Sequence, residues 1–201
     1  MYETMTSIEI TGNALWTRME RAVEKVQERL RRAVAVLEAA SIPYAVVGGN
    51  AVRVWVAQAD EAAVRTTKDV DILMRRTDLE RVIDVMQAAG FVYRQAAGLT
   101  MFLESAEAKA RDAVHVVFTG EMVRESDPEA NPDVEPHERA DEFRTLPLET
   151  LVRMKLNSYR LKDRVHLLDM LEVGLIDETW LPRFPDPLRA RLQDLLDNPN
   201  Q

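Results

Sequence analysis

Apolar residues recur at steps of three and four along five stretches of the chain, and this spacing predicts amphipathic helices. The predicted helices cover about residues 13–40, 50–58, 79–89, 148–171 and 186–196. Pro43 supports an end of the first helix near Ala40, because a proline disfavours helical geometry in the residue before it. Gly90 is a natural residue to follow the end of the third helix. The 28 or so residues at 13–40 would thus form the longest helix. Residues 1–12 are expected to be a loose lead-in or a short strand at Ser7–Ile10, and this strand lies outside the residues that the structure below describes.

Short apolar runs between these helices predict strands at about residues 44–47, 69–74, 91–93, 99–103 and 113–118. Ala96-Ala97-Gly98 would form the turn of a hairpin between the third and fourth strands. The alternation of strands and helices as far as residue 118 predicts an α/β or α+β fold. Residues 120–144 contain three prolines and many acidic residues, and a loop of this length is either functional or mobile. We place a domain boundary between about residues 120 and 147, with an α/β domain over 1–145 and a helical region over 146–201.

The composition is that of a folded globular protein, with 46% hydrophobic and 30% charged residues in a chain of 201. No apolar run approaches the roughly 20 residues of a membrane span, and no secretory signal is visible at the N-terminus. The chain has no cysteine, which excludes a disulfide framework and a thiolate metal site. A reducing cytoplasm is therefore the expected compartment, and no membrane partner is expected.

The charge is distributed unevenly along the chain. The net charge of −8 argues against nucleic-acid binding over the whole surface. Residues 151–166 hold five basic residues and one acidic residue, which gives +4 and leaves −12 for the remainder. A local basic patch on an acidic protein suits a confined anionic ligand better than a long duplex.

Two motifs on consecutive predicted strands carry candidate chemistry: a diglycine, Gly48-Gly49, and an Asp-x-Asp, Asp69 and Asp71. In an extended chain side chains two apart share a face, so Arg65 and Thr67 would join the two aspartates. Two carboxylates aimed at one point suit magnesium, which keeps substrate phosphates among its ligands. Taken singly, the diglycine reads as a plain strand-to-helix turn and the aspartates as a solvent-facing edge strand. Together they predict a metal-dependent phosphate-handling site, because the two strands could be neighbours in one sheet.

A third group lies in the predicted helix at 148–171. Steps of four, three and four would place a set of polar side chains on one face of this helix: Lys155, Tyr159, Lys162 and His166. This face is either solvated or a cationic wall opposite the aspartates, in which Asp163 could orient one of the lysines. His115, flanked by valines in mid-strand, is expected to be buried and hydrogen-bonded, and the histidines do not have the spacing of a zinc site.

These motifs resemble the nucleotidyltransferase (polymerase-β-like) superfamily, and most closely the AbiEii-type abortive-infection toxins and related toxin–antitoxin nucleotidyltransferases. The resemblance rests on Gly48-Gly49-x-Ala51, on Arg65-x-Thr67-x-Asp69-Val70-Asp71, and on Lys155-x-x-Ser158-x-Arg160-x-Lys162-Asp163. It implies a mixed sheet flanked by helices, followed by a C-terminal helical bundle that closes over a nucleotide. The implied reaction is attack by an acceptor hydroxyl on the α-phosphorus of a nucleoside triphosphate, with release of pyrophosphate.

The resemblance also implies roles for individual residues. Asp69 and Asp71 would hold Mg²⁺ (or Mn²⁺), and Lys155 and Asp163 would complete the catalytic set. The implied nucleotide-binding residues are Gly48, Gly49, Asn50, Arg65, Thr67, Arg160 and Lys162. The implied partners are a nucleoside triphosphate, an acceptor that is RNA, protein or a small molecule, and an antitoxin protein.

One position departs from the superfamily pattern. Many members carry a third carboxylate in the middle of a later strand, and this chain has His115 there. Three alternatives remain open at this point: an enzyme with one well-held metal, a histidine that acts as base, or an inactive domain that binds nucleotide or regulates without turnover. A further alternative is an α/β domain whose acidic pair is only surface decoration.

Overall fold

The computed structural model describes residues 12–140 and 142–199. The helices in this part of the chain are α1 (Gly12–Ala39), α2 (Gly48–Ala59), α3 (Leu79–Ala88), α4 (Leu148–Ser158), α5 (Leu161–Glu172) and α6 (Asp186–Asp197). The strands are β1 (Ala45–Val47), β2 (Val70–Met74), β3 (Val92–Ala96), β4 (Leu99–Leu103), β5 (Val114–Phe118), β6 (Glu138–Ala140) and β7 (Phe143–Thr145). Short 3-10 turns occupy Glu61–Ala63, Arg76–Asp78, Ala110–Asp112 and Glu178–Arg183. Within residues 12–140 and 142–199, none of the helices combines the length and the hydropathy of a membrane span.

The strands form one mixed sheet in the order β3-β4-β5-β2-β1-β7-β6. β1 and β2 are antiparallel neighbours, β2 and β5 run parallel, and β4 lies antiparallel to β5. The hairpin of β3 and β4 turns at Ala97 and Gly98, as the sequence predicts. A mixed sheet flanked by helices and followed by a helical C-terminal region confirms the predicted fold class.

The sheet separates two apolar cores, because successive side chains of a strand point to opposite faces. Val46 of β1 belongs to the core that α1 and α3 cover. Its neighbours Ala45 and Val47 belong to the other core, which α2, α4, α5 and α6 cover. The predicted carboxylate motif therefore lies on a sheet whose second face meets the C-terminal helices.

The predicted single helix over residues 148–171 is wrong, because the chain breaks between α4 and α5. Tyr159 has a left-handed backbone with φ of 42°, and Arg160 is extended. The Asp163 carboxylate accepts hydrogen bonds from the Arg160 backbone N–H (3.3 Å) and from its Nε (2.7 Å). This local bonding favours a new helix start over continuation. Lys155, Tyr159, Lys162 and His166 consequently do not share one helix face.

Residues 120–140 and 142–144 form more regular structure than the loop that the sequence predicts. β7 pairs parallel with β1 and antiparallel with β6, so the segment supplies the far edge of the sheet. Asn131 anchors the earlier part: its Nδ2 donates to the Phe118 carbonyl (3.0 Å), and its backbone N–H donates to Glu121 (2.9 Å). Asn157 of α4 accepts from the Glu129 backbone N–H (2.9 Å). The segment is therefore tied to both the sheet and α4.

Candidate active site

The diglycine makes room for the second aspartate of the Asp-x-Asp motif. Val47 pairs with Asp71 across β1 and β2, so the turn into α2 lies directly beside the aspartate. Gly48 has φ of +67°, and a Cβ built on it would lie 2.9 Å from Asp71 Cγ and 3.0 Å from Asp71 Cβ. Only glycine fits this position, because it needs both a left-handed backbone and an empty side-chain space.

The next two residues fix the segment that carries Asp69. A Cβ on Gly49 would lie 2.9 Å from Thr67 Cβ. Asn50 is buried, and its Nδ2 donates a 2.8 Å hydrogen bond to the Asp69 carbonyl. The start of α2 thus holds the approach to β2 by close packing at Gly49 and by a hydrogen bond from Asn50.

Each aspartate has a charged or titratable neighbour. Lys162 Nζ lies 3.5 Å from Asp69 Oδ2. His115 pairs in register with Asp71, and its Nδ1 lies 3.8 Å from Asp71 Oδ1. The prediction that His115 is buried is wrong, because its side chain is 21% exposed and lines the cavity described below. The residue faces the cavity because β5 alternates, with Val114 and Val116 turned into the opposite core.

A buried network at the α4–α5 break holds the cations of this site. The Asp163 side chain has no exposed surface and accepts from Lys155 Nζ (3.1 Å), Ser158 Oγ (2.6 Å) and Arg160 Nε (2.7 Å). Burial raises the pKa of Asp163, but these donors outweigh it and hold the carboxyl well below its usual range. Asp163 is therefore ionised, and it orients Lys155 as the sequence suggests.

His166 follows Asp163 by one helical turn on α5. Burial lowers the pKa of His166 to about 4, and the nearby charge of Lys155 acts in the same direction. Its Nδ1 is buried without a hydrogen-bond partner among the described residues. The neutral imidazole is thus a packed part of the helix rather than a member of an exposed cationic face.

Between the sheet and the α4–α5 break lies a cavity of about 350 Å³, a size that suits a small molecule. Most of the predicted site residues line it: Gly48, Asp69, Asp71, Lys155, Arg160, Lys162 and Asp163. The remaining four, Gly49, Asn50, Arg65 and Thr67, are not among the described residues that line it. Arg65 instead pairs with Asp169 of α5 (Nε to Oδ1, 2.7 Å). The structure thus brings the two aspartates and three cations together.

The sequence reasoning missed the opposite wall of the cavity. Leu99, Met122 and Val123 line it, as does the buried Asp127. No motif marks these residues, and only the hairpin turn and the loop after β5 bring them to the site. The one sequence signal is the pair of apolar side chains, Met122 and Val123, in a loop that is otherwise polar.

The metal-ligating potential of the site lies in its carboxylates. The described residues contain no group of three or more His, Cys, Asp and Glu side chains that could hold a metal ion. The donors on offer are Asp69 and Asp71, whose side chains are 38% and 17% exposed.

Comparison with solved structures finds the same fold in nucleotidyltransferases. ANT(2″)-Ia in complex with adenylyl-2″-tobramycin is 13% identical with a TM-score of 0.51, over 81% of this chain and 94% of that one. An antigenic nucleotidyltransferase-like protein from Paracoccidioides brasiliensis is 15% identical with a TM-score of 0.50, over 85% of this chain and 88% of that one. Identities this low show the fold alone. Comparison with proteins of curated function gave no match.

Comparison with protein families identifies more than the fold. The family described as "Uncharacterised nucleotidyltransferase" matches residues 14–152, which is more than half of the chain and includes both glycines, both aspartates and His115. The chain belongs to this nucleotidyltransferase family.

Proposed function

We propose that the protein is a metal-dependent nucleotidyltransferase that moves a nucleoside monophosphate from a nucleoside triphosphate to an acceptor hydroxyl. The observation that carries this proposal is the meeting of Asp69 and Asp71 with Lys155, Arg160 and Lys162 in one cavity. Carboxylates on the sheet side and cations on the helix side are the groups that a metal–triphosphate complex requires.

The donor set fits Mg²⁺, and Mn²⁺ by the same chemistry. Magnesium is held in proteins by one or two carboxylates, with water and substrate phosphates as its other ligands. Asp69 and Asp71 would hold the ion, and the lack of a side chain at Gly48 leaves the space that the Asp71 carboxylate occupies. A bound ion would offset the negative charge that develops on the transferred phosphoryl group.

The residues of the chain would bind and orient the triphosphate. Lys162 and Arg160 would neutralise phosphate oxygens, and Asp163 is a positioning residue that holds Lys155 and Arg160 against the cavity. The acceptor oxygen would form a bond to the α-phosphorus while the bond from that phosphorus to the bridging oxygen breaks. Pyrophosphate leaves with the electron pair of that bond, and the hydroxyl proton passes to the surrounding solvent.

The proposal is tested by transfer of label from each α-labelled nucleoside triphosphate, with Mg²⁺, into a mixture of cellular RNA, protein and small molecules. Wild type is expected to label an acceptor, and Asp69→Asn and Asp71→Asn are expected to lose this activity. Asp84→Asn is the matched control, because Asp84 is exposed on α3, which covers the other face of the sheet. Equal labelling by wild type and both site variants would refute the proposal.

His115 favours a second candidate, a domain that binds nucleotide without turnover. It stands beside Asp71, where a third carboxylate would complete an acidic triad. This candidate predicts thermal stabilisation by nucleotide and Mg²⁺, about 2.7 kcal/mol at a hundredfold excess over Kd, with no labelled acceptor. Stabilisation together with transfer would rule it out.

The similarity to AbiEii-type toxins extends the proposal to a toxin-like role with an antitoxin partner. Its support is the sequence resemblance, from Gly48 to Asp163. Induced expression is expected to arrest growth for wild type and to leave growth unchanged for Asp71→Asn. Equal growth of the two strains, at equal protein levels, would refute the toxin role while leaving transferase activity to be judged by the labelling assay.

A further inference from the structure

Helix α6 makes two hydrogen bonds to the end of α4, beside the residues that carry the cations of the site. Nη1 of Arg191 donates to the carbonyl oxygens of Leu156 (2.7 Å) and Asn157 (2.6 Å). The last carbonyls of a helix have no partner within that helix, and a cation near them also interacts favourably with the helix dipole. Arg191 therefore stabilises the end of α4 at the point where the chain turns into α5.

The same helix also binds the left-handed residue at this turn. The Tyr159 hydroxyl lies 3.0 Å from the Arg191 carbonyl oxygen and 2.9 Å from Asp194 Oδ2. The guanidinium carbon of Arg191 lies 5.3 Å from the centroid of the Tyr159 ring, within the range of a cation–π contact. These contacts offset the cost of a left-handed backbone in a residue other than glycine. α6 thus holds both the carbonyls before the turn and the side chain at the turn itself.

The left-handed backbone of Tyr159 brings the residues on either side of it to one carboxylate. Ser158 Oγ and Arg160 Nε both donate to Asp163 Oδ2, at 2.6 Å and 2.7 Å. In a continuous α-helix, residues two apart do not face each other, so their side chains cannot contact the same group. A helical Tyr159 would therefore separate Arg160 from Asp163, the carboxylate that also binds Lys155.

We propose that Arg191 is a positioning residue for the triphosphate-binding cations of the cavity, and that it acts through the backbone of Tyr159. Neither residue is among the described residues that line the cavity, so neither would touch the nucleotide. They instead keep the α4–α5 break in the conformation in which Arg160 and Lys155 meet Asp163. The inference rests on the proposed function, because that function assigns these two cations to a triphosphate.

Exchange of the Arg160 Nε–H with solvent tests this inference in the nucleotide-free protein. NMR of the wild type should show a slowly exchanging Nε–H signal, identified by its loss in Arg160→Lys, because this proton is bonded to Asp163. Arg191→Met keeps the aliphatic stem and removes the donors. It should speed this exchange about five- to thirtyfold, because the strain of the left-handed residue is then no longer offset and shifts the break by that factor.

Arg189→Met is the matched control. Arg189 also lies on α6 and also donates to two carbonyl oxygens, those of Leu181 (3.1 Å) and Phe184 (3.0 Å), which precede α6 rather than end α4. Both variants remove one positive charge, and only Arg191→Met should change the exchange of the Arg160 Nε–H. Arg191→Lys keeps the charge and a donor, so its effect should be intermediate, and it replaces Arg191→Met if that variant does not fold.

Binding of tripolyphosphate with Mg²⁺ separates a positioning role from a role in stability. Tripolyphosphate is the part common to all nucleoside triphosphates, and calorimetry should show weaker binding to Arg191→Met, by up to about thirtyfold, as the fraction of competent protein falls. Adding Tyr159→Gly should restore both the affinity and the slow exchange, because glycine adopts a left-handed backbone without strain. The double variant should nevertheless be less stable in urea, since the ring is lost. A role in stability alone predicts that affinity falls further.

Three results would each overturn the inference: wild-type exchange and affinity in Arg191→Met, equal effects of Arg189→Met, or no recovery in the double variant. If the wild type neither binds tripolyphosphate nor transfers label, the proposed function fails. The exchange measurement still decides in that case whether Arg191 positions Arg160.

Discussion

Gly48→Ala should displace the Asp71 carboxylate from its position in the cavity. The new Cβ would overlap Asp71 Oδ2 and lie 2.9 Å from Asp71 Cγ. Carbon–carbon contacts relax to about 3.5 Å, so Cγ must retreat by at least roughly 0.6 Å and Oδ2 by more. The left-handed backbone adds about 1–2 kcal/mol for any residue other than glycine. A displacement of this order costs up to about a hundredfold in turnover when it affects groups that must be placed to within half an ångström.

Gly174→Ala is the control for backbone strain. Gly174 has φ of +73°, and a Cβ on it would have nothing within 4 Å. Both variants should therefore lose a few degrees of thermal stability, at about 2–4 °C per kcal/mol for a chain of this size. Only Gly48→Ala should lose the stabilisation by nucleotide and Mg²⁺ and the transfer of label. The comparison isolates the displaced carboxylate from the cost of the left-handed backbone.

A double-mutant cycle decides whether the contact is the cause. Asp71→Ala removes the carboxylate that the new methyl would overlap and leaves only the Cβ contact at 3.0 Å. Gly48→Ala should therefore destabilise this background less than it destabilises wild type. The coupling should fall in the range of about 0.5–3 kcal/mol found for residues in contact. Free energies of unfolding from urea titration measure it. Additive effects, or retained nucleotide binding in Gly48→Ala, would refute the reasoning.

Three further predictions concern the neighbours of this contact. Lys155→Met removes one buried partner of Asp163, whose charge Arg160 still balances, so the free energy of unfolding in urea should fall by less than the about 3–5 kcal/mol of an uncompensated buried charge. Lys162 is exposed, so Lys162→Met should weaken nucleotide binding with little change in stability. Equal stability losses in the two variants would contradict this. The pKa of His166 is about 4 in the folded chain and 6.5 in the unfolded chain, so the unfolded chain binds more protons between these two pH values. The free energy of unfolding should therefore fall by about 3 kcal/mol as the pH drops from 6.5 to below 4. His166→Gln should remove that part of the pH dependence of urea unfolding, and an unchanged profile would contradict the assignment. His115→Asp places a carboxylate about 3.8 Å from Asp71, where repulsion is about 1 kcal/mol in water and about 4 kcal/mol at a dielectric of 20. Without metal, the melting temperature of His115→Asp should be lower than that of wild type. Added Mg²⁺ should raise it more than it raises the wild-type value, and an equal rise in the two proteins would contradict the predicted repulsion.

Local patterns were enough to predict much of this site. Helical periodicity and short apolar runs are read within a few residues, so α1, α2, β2 and β5 follow from the sequence within small shifts at their ends. The sequence places Gly48 and Asp71 at one site because they lie on consecutive strands, and the pairing of β1 with β2 confirms that these strands are neighbours. What the sequence did not predict is that the glycine is needed for the aspartate, since that requires the packing itself.

The failures share a different origin. No glycine or proline marks the break after α4, and a left-handed tyrosine is disfavoured locally. A tertiary bond and a local one hold this break: the Tyr159 hydroxyl donates to Asp194 of α6 at 2.9 Å, and Asp163 caps the next helix. β6 and β7 are three residues each, too short to display a period of two. The exposure of Leu99, Met122 and Val123 likewise depends on how the hairpin and the loop after β5 pack together, which no run of residues encodes.

The fit of Asp71 against Gly48 limits how the family can vary. The two positions are 23 residues apart in the chain, yet each sets the space that the other can occupy. A homologue with a side chain at position 48 should have lost the carboxylate at position 71. A glutamate at position 71 is longer than aspartate and would have to turn away from the glycine. Homologous sequences should therefore show correlated replacement at these two positions, and a chain that has lost one is expected to have given up the site as a whole.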